Sequence, residues 1–171
     1  MPIGLGVRDS FADIGASICE MLGVENKLCG KSFYKELSMT KERLCEMAKA
    51  AMQKSYSPYS HCKVGAALLA KSGKVYLGCN IENASYSATI CAERGAFMQA
   101  VSVGARKFKA ICIVGGFDKI TDFCYPCGVC LQFMSEFCDK DFEIVLYNGK
   151  EIRVHTLGEL LPYTFNKDQL K

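Results

Sequence analysis

Three cysteines and one glutamate are spaced for metal chemistry. Cys91 and Glu93 flank Ala92 where a helical stretch begins. Pro126-Cys127-Gly128-Val129-Cys130 puts two more thiols at the start of another helical stretch. Three thiolates describe a zinc ion with one open position. A structural zinc normally closes its shell with four protein ligands, whereas a catalytic zinc keeps a place for water. Glu93 is too close to Cys91 to serve as an independent fourth ligand. It is well placed to handle the protons of that water.

Both clusters fall at expected helix N-termini. Zinc with three thiolates carries a net charge of about −1. Unpaired helix N–H groups and the positive end of the helix dipole offset that charge and favour thiolates over thiols. Arg94 adds a full positive charge and can hydrogen-bond a ligand sulfur; the alternative is an ordinary surface arginine. Zinc acidifies water to near neutral pH, and Glu93 can take the proton and hand it to a substrate nitrogen. Hydroxide then attacks an amidine-like carbon and ammonia leaves. A lone Cys-x-x-Cys would serve a structural zinc at least as well. Cys-x-Glu followed by Pro-Cys-x-x-Cys, each opening a helix across a β-α unit, points to hydrolysis.

Other segments must hold this constellation in place. Thr40 can cap a helix over 40–54 with Leu44, Met47, Ala48, Ala51 and Met52 on its apolar face. Lys63–Ala70 and Lys74–Cys79 read as strands joined by Lys71-Ser72-Gly73. Helices are expected over Cys91–Val103 and Cys127–Phe137, with a buried strand Ala110–Val114 ending in Gly115-Gly116 between them. Glu143–Tyr147 and Glu151–His155 flank Asn148-Gly149, a two-residue turn signal. Leu157–Leu161 adds a helical turn before Pro162. The order predicts an α/β fold with three α/β/α layers around a mixed five-stranded sheet. Residues 1–36 form an N-terminal extension ahead of a catalytic domain over 37–171. Within the extension, Val7, Phe11, Ile14, Ile18, Met21 and Leu22 recur at helical spacing after a possible cap at Ser10, and a linker follows. That segment is either an extra helix packed on the core or an oligomer surface, or a frayed tail.

Composition narrows the class. A length of 171 residues suits about one domain, and half are hydrophobic, enough for a sizeable core. The net charge of +3 and a sequence pI of about 8.2 fall short of a nucleic-acid binder's basic footprint. Apolar runs are short and interrupted, so no membrane span is expected. No signal peptide is expected either, which makes the chain cytoplasmic, where thiols stay reduced. Of the eleven cysteines, eight then act as small hydrophobes. Cys124, three residues before Cys127, could instead complete a closed zinc shell. His61 and His155 have no ligand partner at metal spacing.

Gly78-Cys79-Asn80-Ile81-Glu82-Asn83-Ala84-Ser85-Tyr86, taken with the zinc motifs, resembles the cytidine deaminases of the small homotetrameric type. The resemblance extends over Tyr59-Ser60-His61, Val64-Gly65-Ala66-Ala67-Leu68 and Leu160-Leu161-Pro162. It implies one Zn²⁺ per subunit held by Cys91, Cys127 and Cys130, with Glu93 as proton shuttle. It implies that Asn80 and Glu82 bind the ribose 3′-hydroxyl. Ala84 then offers a backbone N–H to the pyrimidine carbonyl, and Ala92 a backbone carbonyl near the amino group. Tyr86 and Phe165 resemble residues that cross into a neighbouring subunit's site; their alternative is simple packing. Short polar side chains on an Asn-x-Glu after a strand suit a sugar on chemical grounds too.

Two positions depart from the pattern. Cys62 stands where a phenylalanine usually packs on the pyrimidine, a stack contributing about 1–3 kcal/mol; Phe165 is a candidate substitute. Leu131 stands where an arginine is frequent, leaving Arg94 to compensate the thiolates. The implied activity is hydrolysis of cytidine and 2′-deoxycytidine to the uridines, in pyrimidine salvage, with a small nucleoside rather than nucleic acid or membrane as partner. An alternative is the same chemistry on a blasticidin-type antibiotic or a polynucleotide. Asn80-x-Glu82 argues against the antibiotic, and the three-cysteine ligand set against the polynucleotide. A third is a non-enzymatic zinc module, which requires a fourth protein ligand.

Overall fold

The computed structural model describes residues 7, 10–33, 39–117 and 119–170. The chain forms two compact units, Met1–Thr40 and Lys41–Lys171. The expected boundary after residue 36 lies outside the described residues.

In the first unit, helix α1 spans Ala12–Leu22. Ser10 starts it, accepting the Ala12 N–H on its hydroxyl at 3.0 Å and the Asp13 N–H on its carbonyl at 3.1 Å. The apolar row of the helix faces outward, as the oligomer-surface reading of this segment allows. Phe11, Ile14, Ile18, Met21 and Leu22 are exposed, Phe11 at 90%, while Asp13, Ala16 and Ser17 are buried. Hydrogen bonding accounts for this. The Asp13 carboxylate accepts the Lys31 N–H at 2.7 Å. The Ser17 hydroxyl accepts the Phe33 N–H at 2.9 Å and donates to the Asp13 carbonyl at 2.7 Å. Backbone donors of a returning segment need partners, and the polar side of α1 supplies them.

The second unit holds α2 (Lys41–Met52), β1 (Lys63–Ala70), β2 (Val75–Cys79), α3 (Ala92–Ser102), β3 (Phe108–Gly116), α4 (Gly128–Ser135), β4 (Glu143–Tyr147), β5 (Ile152–Thr156) and α5 (Leu157–Leu160). The sheet order is β2-β1-β3-β4-β5. β3 and β4 run parallel and the other neighbours antiparallel. The expected mixed five-stranded sheet is therefore present, with helices on both faces.

Two glycines let those helices approach. A Cβ on Gly65 of β1 would lie 2.1 Å from the Ala48 carbonyl oxygen of α2. A Cβ on Gly78 of β2 would lie 2.1 Å from the Ala92 carbonyl oxygen of α3. On the α3 side, Phe97 is fully buried, with its ring 4.9 Å from that of Phe108 and stacked 5.9 Å from that of Phe137. Burying such a side chain contributes about 1.5–3 kcal/mol, which anchors α3 along the sheet and fixes where its first residue falls.

Two local expectations need correction. β3 does not stop before Gly115-Gly116 but runs through both, because Lys63 and Val64 of β1 pair with Gly116 and Gly115. The β4–β5 connection is longer than the two residues Asn148-Gly149. The Asn148 side-chain oxygen accepts the N–H groups of Lys150 and Glu151 at 2.9 and 2.7 Å, so β5 begins only at Ile152. Asn does this readily because its side chain mimics a backbone turn.

Candidate active site

Cys91 is the N-cap residue of α3 and Cys127 that of α4, both with extended backbones; Cys130 lies in the first turn of α4. Neither N-cap thiol bonds its own helix. Both sulfurs are thus available to a third party, beside the unpaired N–H groups of a helix start. The Cys91 and Cys127 sulfurs are 4.0 Å apart, and the three sulfurs all lie within 4.8 Å of one another. Tetrahedral zinc with Zn–S of about 2.3 Å separates its sulfurs by about 3.8 Å. The donor set and its spacing therefore fit zinc. Among the described residues this is the one cysteine, histidine or carboxylate cluster that could hold a metal. Cys124 lies outside it, with its sulfur packed against Gly115 and its thiol pushed up to about 12, chiefly by burial.

The electrostatics favour sulfur anions. Arg94 Nη2 donates to the Thr89 carbonyl at 2.9 Å and to the Cys91 sulfur at 3.6 Å. The Cys91 thiol is pulled down to about 5, first by the Cys130 thiol's hydrogen bond and then by Arg94, against the opposing effect of burial. Glu93 is buried, only 4% exposed. Burial pushes its carboxyl up to about 7, and the neighbouring Cys91 adds to the rise. A carboxyl with that value is suited to taking and giving a proton near neutral pH.

Asn80 and Glu82 follow β2 and are held by the loop over 55–62. The Asn80 side-chain oxygen accepts the Val64 N–H at 2.7 Å and the Ser55 hydroxyl at 2.5 Å, while Nδ2 donates to the Cys62 carbonyl at 2.8 Å. Glu82 Oε2 accepts the N–H groups of Tyr59 and Ser60 at 2.9 and 3.2 Å, and Oε1 accepts the Ser60 hydroxyl. The Ser60 bond is the largest of several contacts that hold the Glu82 carboxyl below its ordinary range. Ser55 and Ser60 were not singled out from sequence. A serine-rich Ser55–Ser60 loop ahead of a strand carries no signal of which hydroxyl meets which carboxylate.

The remaining expected residues are placed as follows. The Ala92 carbonyl oxygen sits over Gly78 in the first turn of α3. Ala84 is exposed just before a short 3₁₀ turn at Tyr86–Ala88. Tyr86 is exposed, its ring edge-on to Tyr59 at 5.8 Å. Phe165 is exposed too, and its carbonyl accepts from Gln132 of α4 at 2.7 Å. Leu131 is buried in the core, so it does not line the sulfur cluster's charged side. His155 lies 3.9 Å from Glu159 and, like His61, outside the metal cluster.

Comparison with known proteins agrees with this geometry. Residues 38–146 match the family model described as "Cytidine and deoxycytidylate deaminase zinc-binding region". A cytidine deaminase of Sporosarcina psychrophila is 46% identical over 133 residues, covering 77% of this chain and 96% of the relative. A crystal structure of cytidine deaminase from Burkholderia pseudomallei has a TM-score of 0.69 and 47% identity, covering 74% of this chain and all of that one. A blasticidin-S deaminase of Bacillus cereus is 30% identical over 130 residues, covering 73% and 91%. With two helix starts converging on three sulfurs beside a buried carboxyl, and with these likenesses, the chain belongs to the cytidine deaminase family.

Proposed function

We propose that this chain hydrolyses cytidine and 2′-deoxycytidine to uridine and 2′-deoxyuridine with release of ammonia. The observation that carries the reading is Glu93, a buried carboxyl two residues from Cys91 in a three-sulfur cluster with no fourth protein ligand among the described residues. Cys91, Cys127 and Cys130 would hold zinc, which when bound supplies the Lewis acidity that makes water nucleophilic near neutral pH. Glu93 takes one proton from the attacking water and delivers it to the pyrimidine ring nitrogen, then takes the second from the hydroxyl so formed on the ring carbon and delivers it to the amino group, which departs as ammonia. Its burial keeps bulk water from competing for those protons. Arg94 steadies the negative charge on the sulfurs. The exposed Ala84 N–H is free to orient the base, whereas the Ala92 carbonyl, packed over Gly78, does not reach it.

Hydrogen-bond capacity supports the inclusion of deoxycytidine. A carboxylate oxygen or an amide oxygen accepts about two hydrogen bonds, and an amide nitrogen donates two. On Asn80 both acceptor sites and one N–H are already engaged. On Glu82, Oε2 is filled and Oε1 holds one partner. What remains is one donor and one acceptor, the complement of a single hydroxyl. A pair fitted to the 3′-hydroxyl leaves the 2′ position unread.

The reading extends to a cytoplasmic homotetramer acting in pyrimidine salvage. Tyr86 and Phe165 each present an exposed ring, as residues completing a neighbour's site would. No described helix is long and apolar enough to cross a membrane. The likeness to blasticidin-S deaminase keeps the antibiotic as a second substrate to test. The experiment is a spectrophotometric assay on cytidine, deoxycytidine, cytosine, blasticidin S and a cytosine-containing oligonucleotide at matched concentrations. Conversion of both nucleosides supports the reading, and conversion of the oligonucleotide or antibiotic alone overturns it.

A further inference from the structure

The two oxygens of Glu82 are held differently. Oε2 is fixed by two backbone N–H groups, those of Tyr59 and Ser60. Oε1, the oxygen with capacity to spare, receives only the Ser60 hydroxyl among the described contacts. The direction of that bond is settled by the next one along. The Cys62 N–H donates to Ser60 Oγ at 3.0 Å, so the serine accepts from the backbone and turns its own proton toward Glu82.

The loop that carries Ser60 is pinned at several points. Tyr56 donates its N–H to the Asn80 carbonyl at 3.0 Å and accepts the Glu82 N–H at 2.8 Å. The His61 N–H donates to the Ser57 carbonyl at 3.1 Å, with His61 in the left-handed region at φ 59°. The hydroxyl is thus presented from a fixed support.

We propose that Ser60 is a positioning residue for the deamination: through Glu82 Oε1 it sets the grip on the sugar's 3′-hydroxyl, without touching the substrate. The inference rests on the reading of Glu82 as a ribose-binding group. Without the Ser60 hydroxyl only Oε2 keeps its partners, and Oε1, the oxygen offered to the substrate, loses the contact that fixes its direction. Ser60 also ties that oxygen to the backbone of Cys62.

The test compares cytidine and 2′-deoxycytidine with 2′,3′-dideoxycytidine, which differs from deoxycytidine only in the 3′-hydroxyl, on wild type, Ser60→Ala, Ser60→Thr and Glu82→Gln. Ser60→Ala is expected to raise KM for cytidine and deoxycytidine roughly ten-fold, the scale of one charge-assisted hydrogen bond, with kcat changed far less. On dideoxycytidine its kcat/KM should match wild type, and Ser60→Thr should restore the cytidine KM. A Ser60→Ala penalty equal on all three substrates would mark a structural serine and overturn the inference, as would no penalty on any. If Glu82→Gln discriminates between deoxycytidine and dideoxycytidine and Ser60→Ala does not, the Ser60 inference fails alone. If Glu82→Gln treats both alike, the reading of Glu82 fails and the inference with it. Should Ser60→Ala not fold, Ser60→Cys keeps the size with a weaker donor and must show the same selective loss on cytidine.

Discussion

Gly78 of β2 lies directly beneath the Ala92 carbonyl oxygen in the first turn of α3, where a Cβ would come within 2.1 Å. This contact sets how low α3 sits on the sheet, and therefore where the Cys91 sulfur falls. It links a glycine in a strand to a sulfur of the three-cysteine cluster thirteen residues later.

Gly78→Ala should lift the start of α3. Overpacking of this kind costs about 1–3 kcal/mol, and the displaced Cys91 should weaken zinc binding in a chelator competition. Gly65→Ala is the control, because it meets α2 at the same 2.1 Å without touching a ligand-bearing helix. Both variants should melt at lower temperature, but only Gly78→Ala should lose zinc affinity. Equal zinc affinity in the two would contradict the role given to this contact.

Arg94→Met removes the guanidinium from beside the Cys91 sulfur and the Thr89 carbonyl. Loss of such an outer partner typically costs 10–100-fold in metal affinity or activity, and about that loss is expected here. Zinc dissociation kinetics and kcat measured together would show it. Unchanged values for both would return Arg94 to the status of an ordinary surface residue.

Cys124→Ala should leave one zinc per chain, since Cys124 stands apart from the sulfur cluster and packs on Gly115. The expected cost is about 1 kcal/mol of stability. Loss of the metal would instead make Cys124 a ligand and revive the non-enzymatic zinc module.

Glu82 gives a pH signature. Its native carboxyl is held below the ordinary value of 4.5, mostly by the Ser60 hydroxyl and further by the N–H groups of Tyr59 and Ser60 and by His61. A depressed native value stabilises the fold fully above the unfolded value, and the stabilisation is lost as pH falls through the native one. The melting-temperature advantage of wild type over Glu82→Gln should therefore be full above the ordinary carboxyl value and should close as pH falls through the lowered native one. A gap independent of pH would contradict the contacts assigned to Glu82.

Most of the second unit was legible because its signals are local. The apolar runs of β1 and β3, the cysteine spacing and the helix starts each carry their own pattern. What escaped reading depended on partners distant in sequence. The apolar row of α1 marked a helix but not which side it buries; Lys31 and Phe33 bring N–H donors to the polar side. The glycines of β3 read as a strand end, yet pairing with Lys63 and Val64 carries the strand through them. At the site, the three clustered cysteines and the buried Glu93 carry a motif of their own. Ser55 and Ser60 do not, because a serine's role is set by which acceptor the fold brings to it.

The account turns on Glu93, a buried carboxyl beside three sulfurs. Its most direct test is zinc content and ammonia release from cytidine, measured side by side on wild type and Glu93→Gln. Glu93→Gln should keep one zinc per chain and lose ammonia release by roughly 10²–10⁴-fold, the scale of general acid–base catalysis. Normal turnover by Glu93→Gln with its zinc in place would contradict the proton transfer assigned to this residue.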